Sequence, residues 1–305
     1  MISMESMNKP ETREKDTITW SDLESQLDNM ESVSGGYSDA KRGIITALDG
    51  ERLFIKVGVS EGTKGWIQKE TRVYDFLSQN GFSHIPGVAA KNSDNSAIAL
   101  EALEANQGWD WSESWDDARL EATLAALDEL AELEVPTDNP DLITPILSIA
   151  QNGWIELAES EERISALVQK LATKDQEALA KQIQSFAQKT ADFTFKKEAL
   201  VNNDVRADNC AWNAETGEVK LVDWNWLELG DRRADLASML VHVHQSGYDV
   251  LEKHADRLDK DALNWIAGYW LAAASKPIWH GGPESLREFQ LDSALTSLEL
   301  ARKLN

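Results

Sequence analysis

Alternating apolar and polar residues dominate the first third of the chain and predict a small antiparallel sheet. Two such runs, RGIITAL (42–48) and ERLFIKV (51–57), are joined by an Asp-Gly dipeptide typical of tight hairpins. A second pair, GVAAK (87–91) and SAIALEAL (96–103), flanks a short polar turn. Between the pairs, apolar residues recur at helical spacing through KGWIQKETRVYDFLSQNG (64–81), which a glycine closes. We therefore predict a sheet with one helix packed on it.

Helical periodicity dominates from about Trp111 onward. The exception is 199–224, where short apolar runs and a Thr-Gly turn predict a β hairpin. The predicted helices of this half cover 115–134, 141–160, 161–193, 234–245 and 260–275.

The change in periodicity near 104–109 gives the only plausible boundary in the chain. We predict an α+β protein with a loose N-terminal tail at 1–16, a sheet-containing lobe at 17–104 and a mainly helical lobe at 105–305.

The charge balance excludes two classes of partner. The chain has 53 acidic and 30 basic residues, a formal net charge of −23 that repels nucleic acid and anionic membrane surfaces. Cys210 is the single cysteine, so no internal disulfide can form, and neither a targeting segment nor a membrane span is apparent. We expect a cytoplasmic protein without an obligate protein partner.

One charged residue interrupts the apolar stripe of the helix at 64–81. Glu70 lies in register with Ile67, Tyr74 and Leu77, which predicts a buried carboxylate that needs a partner. Lys56 offers one, because strand alternation directs it toward the helix. Such a Lys–Glu pair anchors nucleotide phosphates in protein kinases, although most Lys and Glu residues are simply solvated.

Gly35 and Gly36 lie on a predicted turn between two strands. A loop without side chains lets backbone N–H groups approach phosphates, and a plain hairpin turn explains the two glycines equally well.

The stretch VNNDVRADN (201–209) concentrates the remaining polar chemistry. Asp204 and Asn209 are five residues apart, and Asp223 ends the next apolar run, so the three are expected to meet at one end of the hairpin. In phosphoryl transfer, one carboxylate orients the attacking hydroxyl, while an amide and a second carboxylate hold Mg²⁺. An ordinary pKa near 3.9 would make Asp204 a weak base that acts mainly by positioning. Arg206 would direct its charge at the transferring phosphate.

Together these motifs resemble the aminoglycoside phosphotransferase family, whose catalytic loop reads His-Gly-Asp-x-x-x-x-Asn and whose metal motif reads Ile-Asp-Trp before Gly-Asp and a further Asp. This chain has LVNNDVRADN and LVDWNWLELGDRRADLA at the corresponding places. The resemblance implies a bilobal protein-kinase-like fold and an ATP- or GTP-dependent, Mg²⁺-dependent kinase of small molecules. It implies a catalytic acid at Asp204, magnesium ligands at Asn209 and Asp223, a phosphate-anchoring pair at Lys56 and Glu70, and a carboxylate at Asp235 that braces the catalytic loop.

The chain departs from the family motif at Asn202, where the family has His. That His hydrogen-bonds nearby backbone, and an Asn side chain also donates and accepts hydrogen bonds. The alternative to an active kinase is therefore a catalytically silent regulator that binds nucleotide. A third reading keeps the fold but transfers a nucleotidyl group.

The chain also offers predictions about where the nucleotide binds and what kind of acceptor it takes. Adenine is expected against the backbone of Glu101 to Leu103, between the lobes. Only twelve residues separate Asp223 from Asp235, too few for a peptide-docking activation segment, which favours a small acceptor such as an aminoglycoside, a sugar or a choline-like alcohol. The segment 113–159 holds twelve Asp or Glu and one base, Arg119. It either attracts a cationic acceptor or forms the solvated face of amphipathic helices.

Overall fold

The structure is a computed structural model that describes residues 18–33, 38–137, 139–144, 149–170, 173–189, 194–278, 283 and 285–304, with only the backbone described at 173–177. The predicted tail at 1–16 and the turn with Gly35 and Gly36 lie outside the described residues.

The first part of the chain forms a five-stranded antiparallel sheet, as the alternating pattern predicts. Its strand order is β1-β2-β3-β5-β4, and β2 and β3 form the hairpin expected at the Asp-Gly turn. The strands are β1 (Glu31–Ser32), β2 (Lys41–Thr46), β3 (Arg52–Val57), β4 (Val88–Lys91) and β5 (Ala97–Glu101).

Helix α2 (Glu61–Gln79) packs on one face of this sheet. It begins three residues before the predicted start because the Ser60 side chain accepts a hydrogen bond from Thr63 N, and the Thr63 hydroxyl accepts one from Ser60 N. The predicted stripe is confirmed, since Ile67, Glu70, Tyr74 and Leu77 are all buried.

A short segment that the sequence analysis did not predict covers the other face of the sheet. Helix α1 (Trp20–Glu24) places Leu23 over Leu53 and Ile55 of β3, which form a second, smaller apolar cluster. The alternation along β3 is thus confirmed: Leu53 and Ile55 face α1, while Phe54 packs in the main core with α2.

The rest of the chain is mainly helical. Its helices are α3 (Asp117–Ala131), α4 (Gly153–Ala158), α5 (Glu161–Val168), α6 (Thr173–Lys189), α7 (Arg232–Gln245), α8 (Val250–His254), α9 (Lys260–Ala274) and α10 (Ser285–Lys303).

Two of the predicted helices are wrong. The chain has a 3₁₀ turn at Pro140–Ile143, and Thr144, which precedes a proline in the sequence, is extended, because proline disfavours the helical conformation of its predecessor. The regular helix α4 begins only at Gly153, where the Asn152 side chain accepts from two backbone N–H groups. The helix predicted over 161–193 is two helices, α5 and α6; nothing in the structure explains that break.

Helix α10 was not predicted. Leu291, Ala294 and Leu300 are buried on it at helical spacing, so the signal was present in the sequence.

Five short strands carry the polar loops of this helical part. The strands β8 (Cys210–Asn213) and β9 (Glu218–Leu221) form the predicted hairpin, extended by β6 (Trp109–Asp110). The run Ala199–Val201 lies outside the hairpin as β7 and pairs instead with β10 (Glu228–Gly230). Among the described residues, no helix is long and apolar enough to cross a membrane.

Candidate active site

Lys56 joins the sheet, helix α2 and the loop after β9. Its Nζ lies 2.6 Å from Glu70 Oε2 and 3.2 Å from Asp223 Oδ1. Burial opposes the positive charge, but the two carboxylates outweigh it and raise the pKa of Lys56. The pair predicted from periodicity is therefore present, and it includes Asp223 as a third member.

Asp204 and Asn209 are fixed to each other at the start of the hairpin. A 3₁₀ turn at Ala207–Asn209 directs Asn209 back, so its Nδ2 donates to both Asp204 O and Asp204 Oδ2 at 2.9 Å. Burial raises the pKa of Asp204 to about 7; the charges of Asp223 and Asp208 act in the same direction, and Arg206 opposes them. Asp204 is therefore a much better base near neutral pH than the sequence alone suggests.

Asp223 adopts a left-handed backbone conformation, with φ of 61°, at the end of β9. Burial favours its neutral form, but Lys56 and the Asn225 amide, which donates to Oδ1 at 2.8 Å, outweigh burial and hold the pKa of Asp223 below its usual value. Val222 N donates to Asn209 O, so a backbone hydrogen bond joins Asn209 to the residue before Asp223. The predicted meeting of Asp204, Asn209 and Asp223 is thus observed.

Arg206 is engaged by two carboxylates of its own loop. Its guanidinium lies 2.6 Å from Asp204 Oδ1 and donates to both oxygens of Asp208. Phe289 of α10 lies below the guanidinium, with its ring centroid at 5.9 Å. In this arrangement Arg206 orients the Asp204 carboxylate, which the sequence analysis did not anticipate.

The loop 201–209 is held by Asp235, near the start of α7. Its Oδ1 accepts from Asn203 N at 2.7 Å, as the family resemblance implies. Burial raises the pKa of Asp235 to about 6, and hydrogen bonds from the backbone of Asn203 and Asn202 oppose that shift. The Asn202 side chain accepts from Asp204 N at 2.9 Å, so it stabilises the turn that presents Asp204.

Comparison with known proteins identifies the family of the chain. A sequence model described as the phosphotransferase enzyme family matches residues 29–281. The chain belongs to the phosphotransferase enzyme family. The members of this family are phosphotransferases, and the resemblance seen in the motifs of the chain is confirmed.

Solved structures show that the fold of this phosphotransferase is kinase-like. Choline kinase LicA from Streptococcus pneumoniae aligns with a TM-score of 0.55 at 12% identity, over 91% of this chain and 97% of that chain. Spectinomycin phosphotransferase APH(9)-Ia, in complex with ADP and spectinomycin, aligns with a TM-score of 0.58 at 13% identity, over 90% and 92%. The GDP complex of aminoglycoside 2'-phosphotransferase-IIIa aligns with a TM-score of 0.56 at 18% identity, over 93% and 96%. No curated protein sequence matches the chain.

Some backbone groups of Glu101 and Leu103, between the sheet and the helical part, already form hydrogen bonds within the protein. Glu101 N donates to Gly87 O, and the carboxylate of Glu101 accepts from Gly87 N at 3.1 Å. The Leu103 carbonyl accepts from the indole of Trp111 at 2.8 Å. The Leu103 N–H donates to no described residue, so at Leu103 it is the backbone group left for the predicted adenine contact.

Arg119 is a buried residue of the phosphotransferase whose role sequence reasoning missed. Its guanidinium donates to the carbonyls of Ser112 and Ser114, and across the core to those of Ala207 and Cys210, next to Asn209. A signal was available, because Arg119 is the single base in the acidic segment 113–159.

Several carboxylates of that acidic segment have partners on α7, on α8 or in the turn after α8. Asp117 lies 2.6 Å from Lys253 Nζ, and Asp128 pairs with Arg232 and lies 3.9 Å from Arg257. These pairs are partly exposed and favour the reading of this segment as a solvated helix face.

Proposed function

We propose that the chain transfers the γ-phosphoryl group of ATP or GTP, with Mg²⁺, to a hydroxyl group of a small molecule. The contact that supports this most directly is the Lys56 ammonium between Glu70 and Asp223, because it places one fixed cation at the edge of the loop that carries the predicted metal ligand. The spectinomycin and aminoglycoside enzymes that share the fold are described with ADP and GDP, which supports a nucleotide here.

The donor atoms of the site fit a magnesium ion. Magnesium takes one or two protein oxygens together with phosphate oxygens and water. Asn209 Oδ1 and Asp223 Oδ2 accept no hydrogen bond from any described residue, although the other polar atoms of both side chains are engaged. These two atoms would hold the ion, which when bound would offset the negative charge of the phosphates.

The chain's own residues then have separate tasks. Lys56, held by Glu70, would contact phosphate oxygens and fix the nucleotide. Asp204 would accept the proton of the acceptor hydroxyl while the hydroxyl oxygen bonds to the γ-phosphorus and the bond to the leaving ADP or GDP oxygen breaks. Arg206 keeps the Asp204 carboxylate in place through the contact at 2.6 Å.

The Leu103 N–H would bind the purine. The carbonyl of Leu103 accepts from the Trp111 indole, so the backbone group that Leu103 still offers to a ligand is a donor. This favours a ring nitrogen of the base as its partner.

The segment after Asp223 supports a small acceptor. The chain from Asp223 to Asp235 is a single turn at Trp224–Trp226, the strand β10 and the start of α7. All residues of this segment are buried or partly buried, so it offers no projecting surface on which a peptide could dock. An aminoglycoside, a sugar or a choline-like alcohol remains the predicted acceptor class.

The decisive experiment combines nucleotide binding with an acceptor screen read by ADP or GDP release. Asp204→Asn should lower kcat by roughly 10²- to 10⁴-fold and leave nucleotide binding nearly unchanged, because Asp204 contacts the acceptor and not the nucleotide. Asp223→Ala should weaken binding of the magnesium–nucleotide complex itself. Asp292→Asn, which changes an exposed carboxylate on α10, is the matched control and should behave as the wild type.

Two outcomes would overturn the assignment. Full turnover by the Asp204→Asn variant would show that Asp204 is not the base. Thermal stabilisation by Mg·ATP or Mg·GTP without transfer to any of a broad panel of alcohols, aminosugars and quaternary amino alcohols would instead identify the silent regulator that Asn202 suggests.

A further inference from the structure

Lys69 is a buried lysine immediately before Glu70 on helix α2, with 6% of its surface exposed. Its Nζ donates to the carbonyls of Thr144 at 2.9 Å, Asn225 at 2.8 Å and Leu227 at 3.3 Å. An ammonium has three donors, and three acceptors surround this one. Burial lowers the pKa of Lys69 to about 8, and the charge of Glu228 opposes that effect, so the ammonium is largely retained at neutral pH.

Two of these three carbonyls belong to the loop that follows Asp223. Helix α2 therefore contacts this loop twice. Glu70 reaches the Asp223 carboxylate through Lys56, and Lys69 reaches the loop backbone directly at Asn225 and Leu227. The contact through Lys56 fixes the side chain of Asp223. The contact through Lys69 fixes the backbone of the loop that follows Asp223.

Glu228 follows Leu227 and extends the connection to the catalytic loop. It is 2% exposed and accepts from Asn203 Nδ2 at 2.6 Å. Asn203 has φ of 62°, a conformation that Asn tolerates better than most residues, and it stands where the resembled motif has Gly. Its side chain thus adds a contact that glycine cannot make, directly beside Asp204.

Such a group of buried polar residues is not explained by stability. Burying charged groups costs desolvation energy, and apolar residues of similar volume are often as stabilising or more so. What directional hydrogen bonds add is a fixed relative position of the segments that they join. Here those segments are helix α2, the Asp223 loop and the catalytic loop.

We infer that Lys69, Glu228 and Asn203, the Lys69 network, are positioning residues that hold Asp223 and Asp204 in register with helix α2. The inference rests on the proposed function, because it assigns these residues to the same phosphoryl-transfer site. It predicts that loss of the network disturbs both loops although none of its three residues is expected to touch nucleotide or acceptor.

The first test compares Lys69→Met with Lys64→Met, which changes a partly exposed lysine of the same helix that pairs with Glu61. Hydrogen exchange of the protein without nucleotide is measured in peptides that cover 223–228 and 200–204. Hydrolysis of Mg·ATP, with water as the phosphoryl acceptor, is measured in parallel. Lys69→Met should exchange faster in both segments and lose roughly 10- to 100-fold in turnover, the usual effect of removing a residue that orients a metal ligand. Lys64→Met should match the wild type.

If Lys69→Met exchanges hydrogen in both segments at the rate of the wild type, the inference is wrong. A wild type that shows no phosphoryl transfer would refute the proposed function alone, because the exchange measurement still decides whether Lys69 holds the two loops.

The second test is a double-mutant cycle between Asn203 and Glu228, which remains informative if Lys69→Met does not fold. Asn203→Gly suits the backbone but removes the Asn203 amide donor from the buried Glu228 carboxylate, and Glu228→Ala removes the acceptor of the buried Asn203 amide. Each single variant should therefore melt earlier than the wild type, and Asn203→Gly/Glu228→Ala should recover much of the loss. Turnover of the double variant should nevertheless stay at least about tenfold low, since the contact between the loops is gone. Additive losses in melting temperature, or full turnover of the double variant, would contradict the inference.

Discussion

At the scale of single residues, burial and charge change the chemistry of Asp204. An aspartate with an ordinary pKa is a weak base at neutral pH, but burial raises the pKa of Asp204 to about 7 while Arg206 restrains the rise. In the proposed reaction, this shift would make Asp204 a stronger base toward the acceptor hydroxyl near neutral pH. This property depends on contacts that come from distant parts of the chain, including Asp223.

The pH dependence of the reaction follows from this pKa. The reactive carboxylate is the ionised form, whose fraction grows as pH rises through about 7, so kcat/KM should rise to that pH and then level off. Because Arg206 holds the pKa of Asp204 down, Arg206→Met should move the midpoint to higher pH. The measurement is kcat/KM of both proteins between about pH 5.5 and 9. An unchanged midpoint in the variant would show that another group titrates.

Asn202 offers a second prediction at this scale. Its side-chain oxygen accepts from Asp204 N at 2.9 Å, which Asn202→Ala would remove. We expect a loss of about 1–2 kcal/mol in the free energy of unfolding, measured by urea denaturation, with lower turnover at unchanged nucleotide affinity. If the wild type proves silent and Asn202→His gains activity, the mismatch with the family motif is the cause of the silence.

At the scale of elements, helix packing imposes limits that side-chain patterns do not show. Gly153 at the start of α4 lies against Gly268 of α9, and a Cβ at Gly153 would overlap the Gly268 carbonyl oxygen. Gly65 inside α2 has open space around the same position. From the sequence alone, each of these two glycines would be expected to weaken its helix.

Their alanine variants should therefore change stability in opposite directions. Gly65→Ala should stabilise the protein by about 0.5–1 kcal/mol, since alanine has the higher helix propensity. Gly153→Ala should destabilise it by about 1–3 kcal/mol, because the two helices must separate. Urea unfolding of both variants checks this, and equal shifts would contradict the close helix contact.

At the scale of the whole molecule, the core is divided by the five-stranded sheet. The main cluster extends from α2 through the helical part, and a smaller cluster under α1 closes the opposite face. The segment before β2 is thus part of the folded unit and not a continuation of the predicted tail.

Leu23 tests this division. Its side chain is fully buried between α1 and β3, so Leu23→Ala should cost about 2–5 kcal/mol in the free energy of unfolding. Leu48→Ala is the control, since Leu48 is 91% exposed at the hairpin tip and should change stability little. A Leu23 variant as stable as the control would show that α1 is dispensable for the fold.

Much of the site was predictable because local periodicity encodes it. Strand alternation and helical spacing placed Lys56 opposite Glu70, and the spacing of Asp204, Asn209 and Asp223 around one hairpin brought these three together. The helix predicted over 141–160 was wrong because the proline at 145 disfavours a helical conformation of Thr144. The hairpin predicted over 199–224 was wrong for Ala199–Val201, because this strand pairs with β10, a partner that the local pattern does not reveal.

Apolar periodicity and motif spacing are local properties of the chain, and they were enough to assign Lys56, Glu70, Asp204, Asn209 and Asp223 to one site. The tertiary structure alone decided how those residues behave. The pKa of Asp204, which the charge of Asp223 helps to raise, and the burial of Lys69 under three carbonyls both depend on groups far apart in sequence. Desolvation and hydrogen-bond direction arise only when those groups are packed together.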